Sequence, residues 1–220
     1  MILKFKLLLM TVILLNACSS ISNNIAPGYA ETFNTFRVLL TGYEDNLISE
    51  ELVRNIPYAS MALKIGNGPK GLIILESVDG DTFTWVSADS IYLVIKGGRI
   101  IKTEGLENDL KNTLYPKTGL KDILSGLDPK IVAYYSYENP EINNLKLDLN
   151  YKVKDREIVD IFGKEKELIH LVEEIRNSTY GWNFTNHYWV DESYYVWKSI
   201  QTVNPKIPPF ELTVTKKPSL

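Results

Sequence analysis

Leu145-Lys146-Leu147-Asp148-Leu149-Asn150-Tyr151-Lys152-Val153-Lys154 alternates apolar and polar residues without a break for ten positions. Successive side chains of an extended strand point to opposite faces, so a period of two over this length predicts a long strand with one face on a core and the other in water. A helix would scatter the same residues around its whole circumference. The flanking sequence repeats the pattern in shorter runs. Leu72 to Val78 and Thr82 to Val86 flank Asp79-Gly80-Asp81, and Ile91 to Ile95 and Arg99 to Thr103 flank Lys96-Gly97-Gly98. Both read as hairpins, because Asp and Gly accept the backbone conformations of tight turns. Further strands are expected at Ile158 to Phe162, Leu168 to Ile175, His187 to Val190, Tyr194 to Val203 and Phe210 to Thr215. Lys164 to Arg176 is compatible with a helix by composition and is read as strand.

Helix signals are few. Tyr29 to Leu40 has partly helical apolar spacing, and a helical turn can follow Ser49, with Glu50 and Glu51 in its first turn and Pro57 beyond its end. Gly119 to Leu127 is the third candidate. The fold class that follows is mainly β: an antiparallel sheet curled into a barrel or half-barrel, with a short N-terminal helix and one small interior helix.

Composition limits function by exclusion. The chain has 220 residues, of which 45% are hydrophobic and 23% charged, with a formal net charge of −3. That is globular composition with no clustered Lys/Arg to neutralise phosphates, so a nucleic-acid partner is not expected. One Cys makes no internal disulfide, and one Cys with two His leaves a four-ligand zinc site short of its usual donors. No metal or cofactor is implied.

The lone Cys sits in an informative place. Lys4 and Lys6 are followed by Leu7 to Leu15, in which only Thr11 is polar, and then by Asn16-Ala17-Cys18. A charged start, a short apolar run and a small residue before the Cys describe a secretory signal peptide. A permanent membrane span would need about 20 apolar residues to cross roughly 30 Å of hydrocarbon. Leu15-Asn16-Ala17-Cys18 resembles the bacterial lipobox, in which the Cys is lipidated and becomes the mature N-terminus. The resemblance implies several acyl chains on Cys18, and two or more hold firmly where one holds marginally. Ser19 rather than Asp follows the Cys, which in such lipoproteins implies the outer membrane. Three parts are expected: residues 1–17 as signal peptide, 18–28 as flexible tether (SSISNNIAPG after the Cys), and 29–220 as a single β-rich domain. Cleavage removes two Lys and shifts the net charge to −5.

Candidate chemistry is sparse. Gly66-Asn67-Gly68-Pro69-Lys70-Gly71 has dinucleotide-loop spacing, but a strand run rather than a helix follows it, so it reads as a turn. Asp79 and Asp81 likewise read as turn residues. His170 alternates with Leu168 and Val172 and reads as packing. His187, with Asp191 four residues on, can be drawn as an imidazole–carboxylate pair, yet no nucleophile motif accompanies it, and no catalytic residue is assigned. Eight aromatic residues fall between Tyr180 and Trp197. Core packing is the favoured reading of these rings; Trp182, Tyr188, Trp189 and Trp197 are the candidates for contact with a glycan or a partner protein.

Ile56-Pro57-Tyr58-Ala59-Ser60, Trp85-Val86, Gly98-Arg99-Ile100, Thr103-Glu104-Gly105-Leu106, Asn186-His187-Tyr188-Trp189-Val190-Asp191 and Trp197-Lys198-Ser199 follow the lipobox in order. In this combination the chain resembles the YjbF/GfcB group 4 capsule polysaccharide lipoproteins. It departs from them at Ser193-Tyr194, where a turn Gly is expected. The resemblance implies a Gram-negative outer-membrane lipoprotein whose domain faces the periplasm. It also implies a non-enzymatic role in producing or exporting an exopolysaccharide, through contact with the polymer or with export proteins. Two alternatives stand beside it: an enzyme acting on envelope glycan through His187 and Asp191, and a carrier of an acyl chain or other lipid inside a half-barrel.

Overall fold

The computed structural model describes residues 48–116, 119–126 and 128–219. Cys18, the signal and tether segments, and the helix expected at Tyr29 to Leu40 lie outside the described residues. The described chain begins with α1 (Glu50–Asn55), whose N-cap is Ser49: its hydroxyl accepts from the Leu52 N–H at 3.1 Å. Five strands follow, β1 (Ser60–Ile65), β2 (Gly71–Asp79), β3 (Thr82–Ser87), β4 (Tyr92–Lys96) and β5 (Arg99–Glu104). After β6 (Leu110–Leu114) and the short α2 (Leu120–Leu124) come β7 (Lys130–Tyr137), β8 (Ile142–Ile161), β9 (Lys164–Asn177), β10 (Trp182–Val190), β11 (Val196–Gln201) and β12 (Phe210–Lys216).

All twelve strands join one antiparallel sheet in the order β5-β4-β3-β2-β1-β12-β11-β10-β9-β8-β7-β6. The sheet is two meanders, β1 to β5 and β6 to β12, spliced by the pairing of β1 with β12. It curls into a nearly closed barrel whose free edges are β5 and β6. Those edges are consecutive in the chain, and side chains bridge them. The Thr103 hydroxyl donates to Asp109 at 2.8 Å and accepts from the Leu110 N–H at 2.9 Å, while Asp109 also accepts from the N–H groups of Gly105 and Leu106. The Thr103-Glu104-Gly105-Leu106 motif is therefore the seam of the barrel.

The alternation read from Leu145 to Lys154 holds as far as Tyr151 and then fails, because Val153 is exposed where the bulge begins. Leu147, Leu149 and Tyr151 are buried and Lys146, Asp148 and Lys152 exposed. The strand is longer than its alternating part, however, and the separate strand expected at Ile158 to Phe162 is its continuation. A bulge permits this: Val153 pairs with Leu171 and Arg156 with Ile169, so β8 carries one residue more than β9 across the gap. Such a bulge increases local twist and redirects the ribbon. Beyond it, the β8–β9 hairpin leaves the barrel wall. Asp160, Phe162 and Gly163 at its tip border a polar crevice of about 450 Å³ with Ala62, Glu211 and Thr213.

The core is filled from both meanders, by Leu93, Leu147, Ile175 and Phe210 among others. α2 contributes Leu120 and Ile123 to the same core. Lys121 of α2 lies over the Tyr194 ring, so the helix sits at the end of the barrel where the β10–β11 turn lies. Asp109 is the residue to remove if the seam matters. Asp109→Ala strands three donors and is expected to lower stability by about 1–3 kcal/mol, read from the urea midpoint, whereas Thr103→Ser keeps the bridging hydroxyl and changes it little.

Candidate functional site

Twelve inward-facing strands leave a barrel interior too wide to be closed by apolar side chains alone, and polar residues occupy its centre. Glu173 of β9 is fully buried in phase with Leu171 and Ile175. Its Oε1 accepts from Arg99 Nε at 3.3 Å and from the Tyr151 hydroxyl; its Oε2 accepts from Asn186 Nδ2 at 2.9 Å and from the Tyr188 hydroxyl at 2.8 Å. Four donors around one carboxylate satisfy both oxygens, which is what a buried charge requires. Arg99, the first residue of β5, also donates from its Nη2 to Tyr151 at 2.7 Å and lies over the rings of Tyr115 and Tyr151. Burial by itself disfavours the guanidinium charge, but the oxygens of Tyr151 and Glu173 outweigh it and raise the Arg99 pKa. Burial, reinforced by Glu173, pushes the Tyr151 and Tyr188 hydroxyls upward, so they serve as neutral donors.

Gln201 extends the network to the backbone. Its Oε1 accepts from the Ile100 N–H and its Nε2 donates to the Gly98 carbonyl, both at 2.9 Å. Gly98 itself has φ +84°, and a Cβ there would lie 2.2 Å from Val196, so no other residue fits without displacing β11.

The four aromatic candidates separate into three places. Tyr188 is fully buried with its hydroxyl spent on Glu173, and so lies inside the wall rather than on a contact platform. Trp182 packs edge-on against Tyr137 and beside Tyr180. Trp189 and Trp197 are partly exposed, Trp189 on the outer wall and Trp197 at the turn end of the barrel. Alternation along β10 explains the division, because neighbours Tyr188 and Trp189 must face opposite ways.

The outer wall holds both His. Trp189 stacks on His170, with centroids 4.8 Å apart and planes 7° apart, and His170 Nε2 lies 2.9 Å from His187 Nδ1. On its other side, His170 Nδ1 is 2.7 Å from Glu157 Oε1, and the Trp189 indole donates to Glu157 Oε2 at 3.1 Å. One imidazole must accept from the other, and Glu157 accepts from the Trp189 indole beside them. The contacts within this group include no Ser, Thr or Cys side chain. The pairing of His187 with Asp191 imagined from sequence is not made. Asp191 instead organises the β10–β11 turn, accepting from the N–H groups of Ser193 and Tyr195 and from Trp197 Nε1 at 2.7 Å. Burial works against its charge, but these donors hold its pKa below the usual value. They also hold Tyr194 at φ +66°, the left-handed position where a Gly was expected.

Sequence reasoning missed Arg99 and Glu173 as a pair. The signal was present in Glu173, a carboxylate at an apolar phase of β9, flanked at two-residue spacing by Leu171 and Ile175.

The family model "Group 4 capsule polysaccharide lipoprotein gfcB, YjbF" matches residues 33–215. The chain belongs to the YjbF family. Among relatives, it is 25% identical over 198 residues to the uncharacterized lipoprotein GfcB of Escherichia coli (strain K12), covering 83% of this chain and 87% of that protein. It is 24% identical over 215 residues to the uncharacterized lipoprotein YjbF of the same organism, covering 95% and 96%. Its fold is similar to the crystal structure of the hypothetical lipoprotein YmcC from Escherichia coli (K12), with TM-score 0.68, 25% identity and coverage of 84% and 96%. As a YjbF-family lipoprotein the chain is capsule-related, and the Gly98-Arg99 and Asn186 to Asp191 motifs on which its resemblance to the family rested are those that build the central network and the Asp191 turn.

Two measurements probe these groups. Arg99→Met or Glu173→Leu alone leaves a buried charge without its partner and is expected to cost about 3–5 kcal/mol. The double variant is expected to cost less than the sum, because it removes both charges, and denaturant melts of the four proteins form the cycle that checks it. For the outer pair, burial first and the charge of His170 second lower the pKa of His187 from 6.5. Its neutral form therefore contributes stability that is full above pH 6.5 and is lost as pH falls below that value, when the unfolded chain takes up the proton more readily. His187 is partly solvent-screened, so the loss between pH 7.5 and 5.5 is expected to stay under about 1 kcal/mol, and to shrink in His187→Gln. Thermal melts against pH give the comparison.

Proposed function

We propose that this chain is a non-enzymatic accessory lipoprotein of capsule or exopolysaccharide production or export. In this reading residues 1–17 are a signal peptide, Cys18 carries acyl chains in the outer membrane, residues 18–28 are the tether, and residues 29–220 form one domain facing the periplasm. The observation that carries the reading is the match of residues 33–215 to a capsule polysaccharide lipoprotein family in a chain that also has a lipobox ending in Cys18. Further support comes from where the side chains are spent. Glu173, Arg99 and Asp191, the charged groups that burial or dense hydrogen bonding singles out, are each saturated by internal partners. Catalytic acids and bases are more often poised toward a substrate-sized cleft. Trp182, Trp189 and Trp197, all partly exposed, are the candidate rings left for polymer or export-protein contact.

Deleting the gene in a strain that makes the polymer is expected to cut secreted polysaccharide sharply, with restoration by the intact gene; unchanged secretion would sink the role. Cys18→Ala is expected to move the protein out of the outer-membrane fraction on sucrose gradients, and retention there would remove the anchor.

A further inference from the structure

We infer that the cavity at the turn end of the barrel binds the acyl chain of an anionic amphiphile, with the charged end of the ligand at Lys217. The cavity holds about 350 Å³, within the range of small-ligand sites. Met61, Phe83, Trp85, Ile95, Leu212 and Val214 form its wall, and these come from both meanders, on strands β1, β3, β4 and β12. Gly97 and Gly98 add no side chain to the mouth. A sugar ring buried here would leave most of its hydroxyls without partners, at a cost of the order of 1–3 kcal/mol each. An alkyl chain meets no such cost. The wall does contain one polar atom without a partner. The Trp85 indole N–H is buried, and Trp85 is only 2% exposed, with no acceptor in the structure. That N–H has no surface open to the cavity and asks nothing of a ligand there, so the wall a ligand meets is the apolar one.

Charge at the rim selects the headgroup. Asp81 is held by Lys96 at 3.0 Å and Lys198 by Glu211 at 3.2 Å, while Asp191 faces Trp197 and the turn backbone. Lys217 is different. Its ammonium lies over the rings of Tyr195 and Trp197, at 4.2 and 5.9 Å, and among the described residues it has no ion pair. An exposed cation beside an apolar mouth complements a carboxylate or phosphate, the head of a fatty acid or of a phospholipid. The chain also enters β1 at this end of the barrel, since Ser60 pairs with Lys216 and the Lys216 ammonium donates to the Ile56 carbonyl at 2.6 Å. This inference rests on the cavity and its rim, and it stands or falls apart from the polysaccharide role.

The test uses cells making the full chain, fed a fatty acid that carries a diazirine near its end, irradiated, and analysed by peptide mass spectrometry. Adducts are expected on Thr82 to Lys96 and on Leu212 to Lys217, and their mass reports whether the chain belongs to a free acid or a phospholipid; either supports the site. Val214→Trp, which fills the cavity, is expected to lower the adducts about tenfold in protein that still melts cooperatively. Lys217→Glu, at an exposed position that leaves the fold intact, is expected to lower them about threefold. Label confined to the peptide bearing Cys18, or cavity adducts unchanged in Lys217→Glu and in folded Val214→Trp, overturns the proposal.

Discussion

The barrel depends on one buried ion pair. Arg99 and Glu173 stand on strands with seven others between them in the sheet order, so they can meet only across the interior. Their contact ties edge strand β5 of the first meander to β9 of the second through the interior, apart from the Thr103–Asp109 seam that bridges β5 to β6. Around it, Tyr151, Asn186, Tyr188 and Gln201 hold strands β8, β10 and β11 to the same point. A buried pair of this kind gains little over an apolar core of equal volume, because desolvating both charges offsets most of their attraction. What it adds is direction: guanidinium and carboxylate must arrive at fixed positions, and this fixes how β5 faces β9 across the interior.

Much of the architecture could be read from the chain, and the reasons differ by element. Asp79-Gly80-Asp81 and Lys96-Gly97-Gly98 announce their hairpins because a tight turn is a local event governed by a few residues. The alternation from Leu145 to Lys154 is equally local. The continuity of β8 through Asp155 and Arg156 was not legible, since a bulge breaks the period of two while preserving the ladder, and the exposed Ile158 beyond it obeys no core phase. β7 illustrates another limit. Lys130 to Tyr137 does not read as a strand in the sequence, because its outward residues Val132 and Tyr134 are apolar like the buried Ile131, Ala133 and Tyr135 and mask the period of two. Among the site residues, the Trp and Tyr side chains could be found but not sorted, because their placement depends on which face of β10 and β11 meets the interior. Arg99 is harder still. Nothing adjacent to it reveals a partner 74 residues away.

The two meanders divide the labour. The second supplies the long wall, with Glu173 inside and the His170–His187–Trp189 stack outside, on a ribbon polar enough to carry charges along its outer face. The first supplies Arg99, Trp85 and the glycine turn at the mouth. Asp191 links these regions by fixing Trp197 at the rim while shaping the turn that a glycine would otherwise make. An aromatic-rich segment thus serves interior, wall and rim at once, which a count of rings in the sequence cannot separate.

The splice between β1 and β12 has a consequence for the order of folding. Ser60 and Thr215, hydrogen-bonded at 2.8 Å, are 155 residues apart, whereas the other ladders join strands consecutive in the chain. Each meander can assemble from near neighbours, but the splice has the largest loop-closure entropy and waits for the final strand. A chain that emerges from its N-terminus would hold β1 without its partner until β12 followed. Closure of the barrel thus waits on β12, and until then its two halves are open sheets whose unpaired edges need shielding from other chains.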